Sequence, residues 1–124
     1  MDIREVLVET KNKLEKGWCQ GLFNRDEFGN NADASKLESA SWCLFGAIRA
    51  SAGEKQFDAE YGQQGNTLPV IALVQEMIKT TLPVGEQTSL VNWNDDQHRT
   101  QSQVVSVVKA AIMTYDLRER RKNR

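Results

Sequence analysis

Two Trp-Cys dipeptides hold both cysteines of this 124-residue chain, one in GWCQG at 17–21 and one in SWCLFGAI at 41–48. Such thiols can form a disulfide, bind a metal or act as nucleophiles. A zinc site needs three or four Cys, His or carboxylate ligands, and the chain has one histidine and no C-x-x-C spacing. A nucleophilic thiol also needs a base and an orienting acid, and His98 with Asp95 or Asp96 supplies only the residue types. We therefore expect the two cysteines to be core residues, and we expect no catalytic residue, metal or cofactor.

Arginines and tryptophans form a second group of candidates, because a guanidinium binds anions and an indole ring anchors ligands or interfaces. Arg25 and Asp26 precede a predicted turn at Gly29, and Arg99 precedes Thr100, the expected start of a helix. Each arginine could bind a ligand anion, or instead brace its own loop through a local ion pair. The predicted binding residues are Trp18, Gln20, Arg25, Asp26, Trp42, Trp93, Asn94, Asp95 and Arg99.

Trp42 is the most prominent tryptophan because of the helix in which the pattern places it. On a helical wheel it lies nearly opposite an apolar face and beside Gly46, while Cys43 lies at the margin of that face. Glycine inside a helix costs about 1 kcal/mol relative to alanine, so Gly46 suggests the close approach of another backbone or a ligand. The alternative is that this helix is buried on both sides and Trp42 is a core residue. GWCQG follows the end of a predicted helix, whereas SWCLFGAI lies inside one. We therefore do not expect the two dipeptides to be structural repeats.

Five segments carry helical signals, and no stretch shows the alternation of a β-hairpin. The predicted helices begin at Asp2, at Asp33 or Ser35, at Thr67, after Gly85 and at Thr100, and the first three end at Gly17, near Ala52 and before Leu82-Pro83. Thr100 and Gln103 form a capping box, and the helix that they begin has the cleanest amphipathic pattern. The sequence predicts an all-α fold, a compact single-domain bundle of about four main helices with short extra helical turns.

The composition is that of an ordinary globular domain, with 40% hydrophobic residues, 27% charged residues and a net charge of −1. This balance does not favour nucleic acid, and only the basic C-terminal tail, 118–124, offers a positive surface. We expect residues 1–117 to form the single helical domain. No apolar stretch approaches the ~20 residues of a membrane span, and the N-terminus lacks a signal-peptide pattern. We therefore expect a cytoplasmic protein with reduced cysteines and no membrane partner.

The order of the tryptophan motifs resembles a known family. GWCQG followed by Arg25-Asp26 and Gly29, then WCLFGAI, then WND with Arg99-Thr100 before a Val-rich helix, is similar to small bacterial and phage proteins that share a domain of unknown function. The resemblance covers residues 1 to about 115. It implies a bacterial or phage setting, often beside mobile elements, and it implies no established reaction.

Two functions are compatible with these residues. The first is a non-enzymatic binding or interaction module, such as a phage or mobile-element accessory protein that acts on a host protein. The near absence of residues suited to acid–base catalysis favours this function. The alternative is a protein or small enzyme that binds or sequesters a small anion or nucleotide. Its cleft would lie between the turn at Arg25-Asp26 and the loop NDDQHRT at 94–100. The sequence is also compatible with a homodimer whose interface contains the third helix or Trp42.

Overall fold

The computed structural model describes residues 2–32, 38–53 and 67–123 of the chain. Its elements in chain order are helix α1 (Ile3–Lys16), strands β1 (Asn24–Arg25) and β2 (Ser41–Trp42), and helices α2 (Leu44–Ser51), α3 (Thr67–Lys79), α4 (Leu90–Asn94) and α5 (Gln101–Lys122). The described chain is thus mostly helical, as the sequence predicts, but it also contains a two-stranded antiparallel sheet that the prediction lacked. Among the described helices, none combines the length and apolar character needed to cross a membrane.

Most helix boundaries follow the local signals in the sequence. The Asp2 carboxylate caps α1 by accepting a hydrogen bond from the Glu5 backbone N–H at 2.8 Å, and the helix ends before Gly17. At the start of α5, the Gln103 N–H donates to the Thr100 hydroxyl and the Thr100 N–H donates to the Gln103 side chain. Both predicted caps are therefore confirmed, and in each the cap hydrogen bonds join residues only three positions apart.

The predicted start of the second helix is wrong. Helix α2 begins after Cys43, whose Sγ accepts a hydrogen bond from the Gly46 N–H at 3.3 Å, while Asp33 and Ser35 lie outside the described residues. Trp42 belongs instead to strand β2, where it pairs with Asn24 of β1. Its N–H also donates to the Gly17 carbonyl and its carbonyl accepts from the Cys19 N–H, both at 3.0 Å. The helical-wheel position predicted for Trp42 therefore does not exist.

The two Trp-Cys dipeptides lie side by side in space. Trp18 and Trp42 form an isolated parallel bridge, so both dipeptides have extended backbone and are paired with each other. The prediction that they are not structural repeats rested on placing the second dipeptide in a helix, and that placement is wrong. Their pairing ties the end of α1 to the beginning of α2.

The hydrophobic core receives side chains from all five helices and from β2. Helix α1 packs against α2 and α5, and α3 packs against α5. Gly46 on α2 faces the backbone of Phe23, and a Cβ at this position would lie 2.8 Å from the Phe23 carbonyl carbon. The close backbone approach predicted for Gly46 is thus confirmed.

The basic C-terminal residues continue α5 rather than leaving it at residue 117. The helix extends to Lys122, and the Arg118 guanidinium forms an ion pair with Glu76 of α3, with Nη1 3.1 Å from Oε2. Lys122 pairs with Glu119 one turn earlier. The described part of the tail is therefore a solvent-exposed end of α5 that carries surface ion pairs.

Candidate functional site

Asn94, at the end of α4, is the centre of a buried junction between the two halves of the chain. Its side chain is fully buried, with 0% exposure, and all of its hydrogen-bonding capacity is used. Its Oδ1 accepts from the Trp18 indole N–H at 2.7 Å and from the Leu44 N–H at 3.0 Å. Its Nδ2 donates to the Cys19 carbonyl at 3.1 Å and to Asp95 Oδ1 at 3.0 Å. Asn94 therefore holds GWCQG against the first turn of α2.

Three further hydrogen bonds, from two neighbouring residues, extend this junction. The Gln20 amide donates to the carbonyls of Asn94 and Asp96, at 2.9 and 2.8 Å. The Gly21 N–H donates to Asp95 Oδ1 at 3.1 Å. Four of the predicted binding residues, Trp18, Gln20, Asn94 and Asp95, thus lie together, and their polar groups are used in hydrogen bonds within the junction.

Arg25 and Asp26 shape the turn that follows β1. The Arg25 guanidinium donates to the carbonyls of Gly29 and Gln20, both at 2.8 Å. Asp26 is buried, and its Oδ1 accepts from the N–H groups of Phe28 and Asn30. Arg25 therefore braces its own loop, as one of its two predicted roles requires, although through carbonyl groups rather than an ion pair.

A cavity of about 200 Å³ lies near the predicted cleft, between residues 21–23, which precede β1, and the end of α4. Its described lining is Gly21, Leu22, Phe23, Asn31, Cys43, Val91 and Asp95, which is mainly apolar. Arg25 and Arg99 are not among these residues. The cavity therefore lacks the two cations that the predicted anion cleft needs.

A larger opening lies between the end of α3 and the first half of α5. This α3–α5 groove has a volume of about 350 Å³ and is lined, among the described residues, by Met77, Thr80, Thr81, Trp93, Arg99, Ser102, Gln103, Ser106, Val107 and Ala110. Trp93 is 2% exposed, and its indole N–H donates to the Thr81 hydroxyl at 3.2 Å. The groove thus contains two of the nine predicted binding residues, Trp93 and Arg99.

Arg99 is held in a fixed position beside this groove. Its Nε donates to the Trp93 carbonyl at 2.9 Å, and its Cζ lies 3.9 Å from the centre of the Trp93 ring system. Within the described part of the chain, neither Nη group of Arg99 makes a hydrogen bond or an ion pair. Arg99 therefore braces the loop through one nitrogen and keeps two nitrogens available for a ligand.

Comparison with known proteins places the chain in a family. The model of a family of unknown function, DUF6197, matches residues 1–114. The chain belongs to DUF6197. No curated protein and no solved structure matches it. The matched residues include the Asn94 junction and the α3–α5 groove, and the match confirms the expected resemblance to a domain of unknown function.

The hydroxyl side chains of the groove were not among the binding residues predicted from the sequence of this DUF6197 chain. Ser102 and Ser106 are four residues apart on the exposed side of α5, and Thr80 and Thr81 follow α3. Four-residue spacing within the last helix was visible in the sequence, but the α3 contribution depends on tertiary packing. In the described parts of the DUF6197 chain, no three His, Cys, Asp or Glu side chains are placed to hold a metal ion.

Both cysteines of the DUF6197 chain are free and buried, as predicted. Burial raises the pKa of the Cys43 thiol to about 12, and burial also raises the pKa of Cys19 above its ordinary value. A thiol that stays protonated at neutral pH is a weak nucleophile. The cysteines are therefore core groups with little reactivity.

Because the pKa of Cys43 is raised, the stability of the DUF6197 chain should decrease at alkaline pH. An unfolded cysteine ionises near its ordinary pKa of 9.0, whereas folded Cys43 keeps its proton until about pH 12. The folded state binds more protons between these values, so the free energy of unfolding decreases as the pH rises above 9. Each pH unit above 9 should lower the free energy of unfolding by about 1.4 kcal/mol, so we expect a loss of about 2 kcal/mol at about pH 10.5.

Urea denaturation with a reducing agent, at pH 8 and at about pH 10.5, measures this loss. The Cys43→Ala variant is the comparison, because it lacks the ionising group and keeps the other titrating side chains. The wild type should lose about 2 kcal/mol more than the variant between the two pH values. Equal losses would show that the folded thiol ionises like an unfolded one.

Proposed function

We propose that the protein is a non-enzymatic binding module that holds its ligand in the α3–α5 groove. The observation that carries this proposal is Arg99, which lines the groove with two Nη groups that bind no described residue. The groove volume of about 350 Å³ lies within the range of roughly 300–1,000 Å³ found for ligand pockets. The groove therefore combines a cation of fixed orientation with space for a ligand.

The placement of the acid–base candidates supports binding rather than catalysis. Asp95 Oδ1 accepts hydrogen bonds from the Gly21 N–H and from Asn94, so this carboxylate helps to hold the junction together. His98 is exposed, with its Nε2 3.2 Å from the Gln97 amide nitrogen. Neither residue is part of the described lining of the groove. A bound ligand there would meet no proton-transfer pair from these two residues.

The placement of Trp42 favours the groove over a contact surface around that residue. Trp42 is only 8% exposed and packs in the core. A partner protein would need accessible aromatic area to use it as an anchor. Because the chain resembles bacterial and phage proteins, a host protein is one source of the group that binds in the groove. A free small molecule is the other source.

A fragment titration followed by amide NMR shifts tests the proposed function. We expect binders to shift signals of residues that line the groove. The Ser106→Trp variant, which places a large side chain in the groove, should weaken these binders at least tenfold. Lys109→Trp is the matched control, because Lys109 is exposed on the same helix and is not part of the described lining.

Two results would overturn the proposed function. One is a broad fragment set that shifts no groove signals in the wild type. The other is a set of binders whose affinity is the same for Ser106→Trp and for the wild type, because such binders occupy another surface.

A further inference from the structure

We infer that the α3–α5 groove recognises a carboxylate group, which Arg99 binds through both of its Nη nitrogens. This inference rests on the proposed function and names the ligand chemistry of the same groove. It follows from the orientation of Arg99, from the charge balance of the lining and from the remaining donors.

The orientation of Arg99 leaves the two-nitrogen end of its guanidinium available. The Nε–H is used by the Trp93 carbonyl, and the guanidinium lies over the Trp93 ring. The Nη1–Nη2 end presents parallel N–H groups, the arrangement that binds both oxygens of a carboxylate. Because the side chain is already fixed on one side, a ligand would lose little of its binding energy in ordering it.

The charge balance of the groove fits a single negative charge. Arg99 is the one charged side chain in the described lining, which contains no carboxylate. A carboxylate balances one guanidinium, whereas a phosphate monoester carries about −1.5 to −2 charges and favours a cluster of cations. The groove therefore matches a carboxylate better than a phosphate.

The other side chains of the groove supply donors and a short apolar surface. Ser102 and Ser106 carry hydroxyls on one side of α5, and Gln103 accepts from the Thr100 N–H through Oε1, which leaves its amide N–H groups to donate. Met77, Val107 and Ala110 provide apolar area. We expect the ligand to be a carboxylate attached to a small apolar group.

A matched set of benzene derivatives tests the inference. Benzoate, its neutral isostere benzamide and phenyl phosphate are titrated into the protein, with the shifts of groove amides as the readout. We expect benzoate to bind at least ten times more tightly than benzamide and more tightly than phenyl phosphate. In Arg99→Gln the preference for benzoate over benzamide should disappear, whereas Arg120→Gln, an exposed arginine outside the described groove lining, should keep it.

The benzamide titration of Arg99→Gln shows whether the variant still has an intact groove. If benzamide binds the wild-type groove as tightly as benzoate, or if Arg99→Gln keeps the benzoate preference, the carboxylate inference is wrong while the proposed function stands. Tighter binding of phenyl phosphate would also overturn it. If no probe or fragment shifts groove signals, the proposed function itself fails.

Peptides identify the source of the carboxylate. A short peptide with a free C-terminal phenylalanine is compared with the same peptide carrying a C-terminal amide. Binding of the free acid at least ten times tighter than benzoate, and loss of that binding in the amide, would assign the carboxylate to the terminus of a partner protein. A peptide no tighter than benzoate would assign it to a free organic acid, and both results support the carboxylate inference.

Discussion

Replacement of Asn94 with leucine is expected to lower the free energy of unfolding by about 3–4 kcal/mol and the melting temperature by about 10–15 °C. Leucine has a similar volume but cannot form hydrogen bonds. The change would leave three groups without partners: the Trp18 indole N–H, the Leu44 N–H and the Cys19 carbonyl. Each buried polar group that loses its partner costs about 1–3 kcal/mol, and the losses in one network are not fully additive.

Asn92→Leu is the matched control for this prediction. Asn92 lies on the same short helix, is exposed, and its side chain makes no hydrogen bond with a described residue. Its replacement should change stability by less than about 0.5 kcal/mol. Urea denaturation of both variants, monitored by far-UV circular dichroism, gives the comparison. Equal stability of the two leucine variants would show that the Asn94 hydrogen bonds do not stabilise the fold.

The Asn94 junction also positions the proposed binding groove. Asn94 follows Trp93 in α4, and Arg99 is fixed by the carbonyl and the ring of Trp93. The junction therefore orients the short helix on which the position of Arg99 depends. A helix of only five residues has little stability of its own, so tertiary contacts must hold it.

The helices that the sequence predicts well are those with local boundary signals. Asp2 with Glu5 and Thr100 with Gln103 are pairs three residues apart, and each pair alone explains where a helix begins. Asp33 and Ser35 are also residue types that cap helices, but α2 begins only after Cys43. Trp42 is extended because it pairs with residues about 24 positions earlier, at Gly17 to Cys19, and periodicity cannot reveal pairing at that distance.

The nine predicted residues do not lie in one site: two of them line the α3–α5 groove, and several others form the Asn94 junction. Trp18, Gln20, Asn94 and Asp95 have the residue types of a binding site, yet they form hydrogen bonds across about 75 positions of the chain. Residue types alone cannot distinguish a side chain that binds a ligand from one that binds a distant carbonyl. Arg99 shows the same ambiguity, since it braces its loop and also lines the groove.

Gly46→Ala is expected to lower the free energy of unfolding by about 3 kcal/mol, although alanine is the better helix former by about 1 kcal/mol. The added methyl group would lie 2.8 Å from the Phe23 carbonyl carbon and 3.1 Å from its Cα, both backbone atoms. Phe23 cannot move away easily. Its carbonyl accepts from the Cys43 N–H at 2.9 Å, and its ring packs against Phe45 with 5.5 Å between centroids.

Gly29→Ala separates this steric effect from the conformational effect of losing a glycine. Gly29 has a φ of 83°, and no described atom lies within 4 Å of the position that an added methyl group would take. Alanine there should cost only about 1–2 kcal/mol, from backbone strain. Gly46 lies within α2 and outside the set of glycines with positive φ, so contact with Phe23 accounts for its larger loss. Chemical denaturation measures both variants. A Gly46→Ala variant as stable as the wild type, or more stable, would mean that Phe23 moves aside freely and that Gly46 is not required for the packing of α2 against the backbone of Phe23.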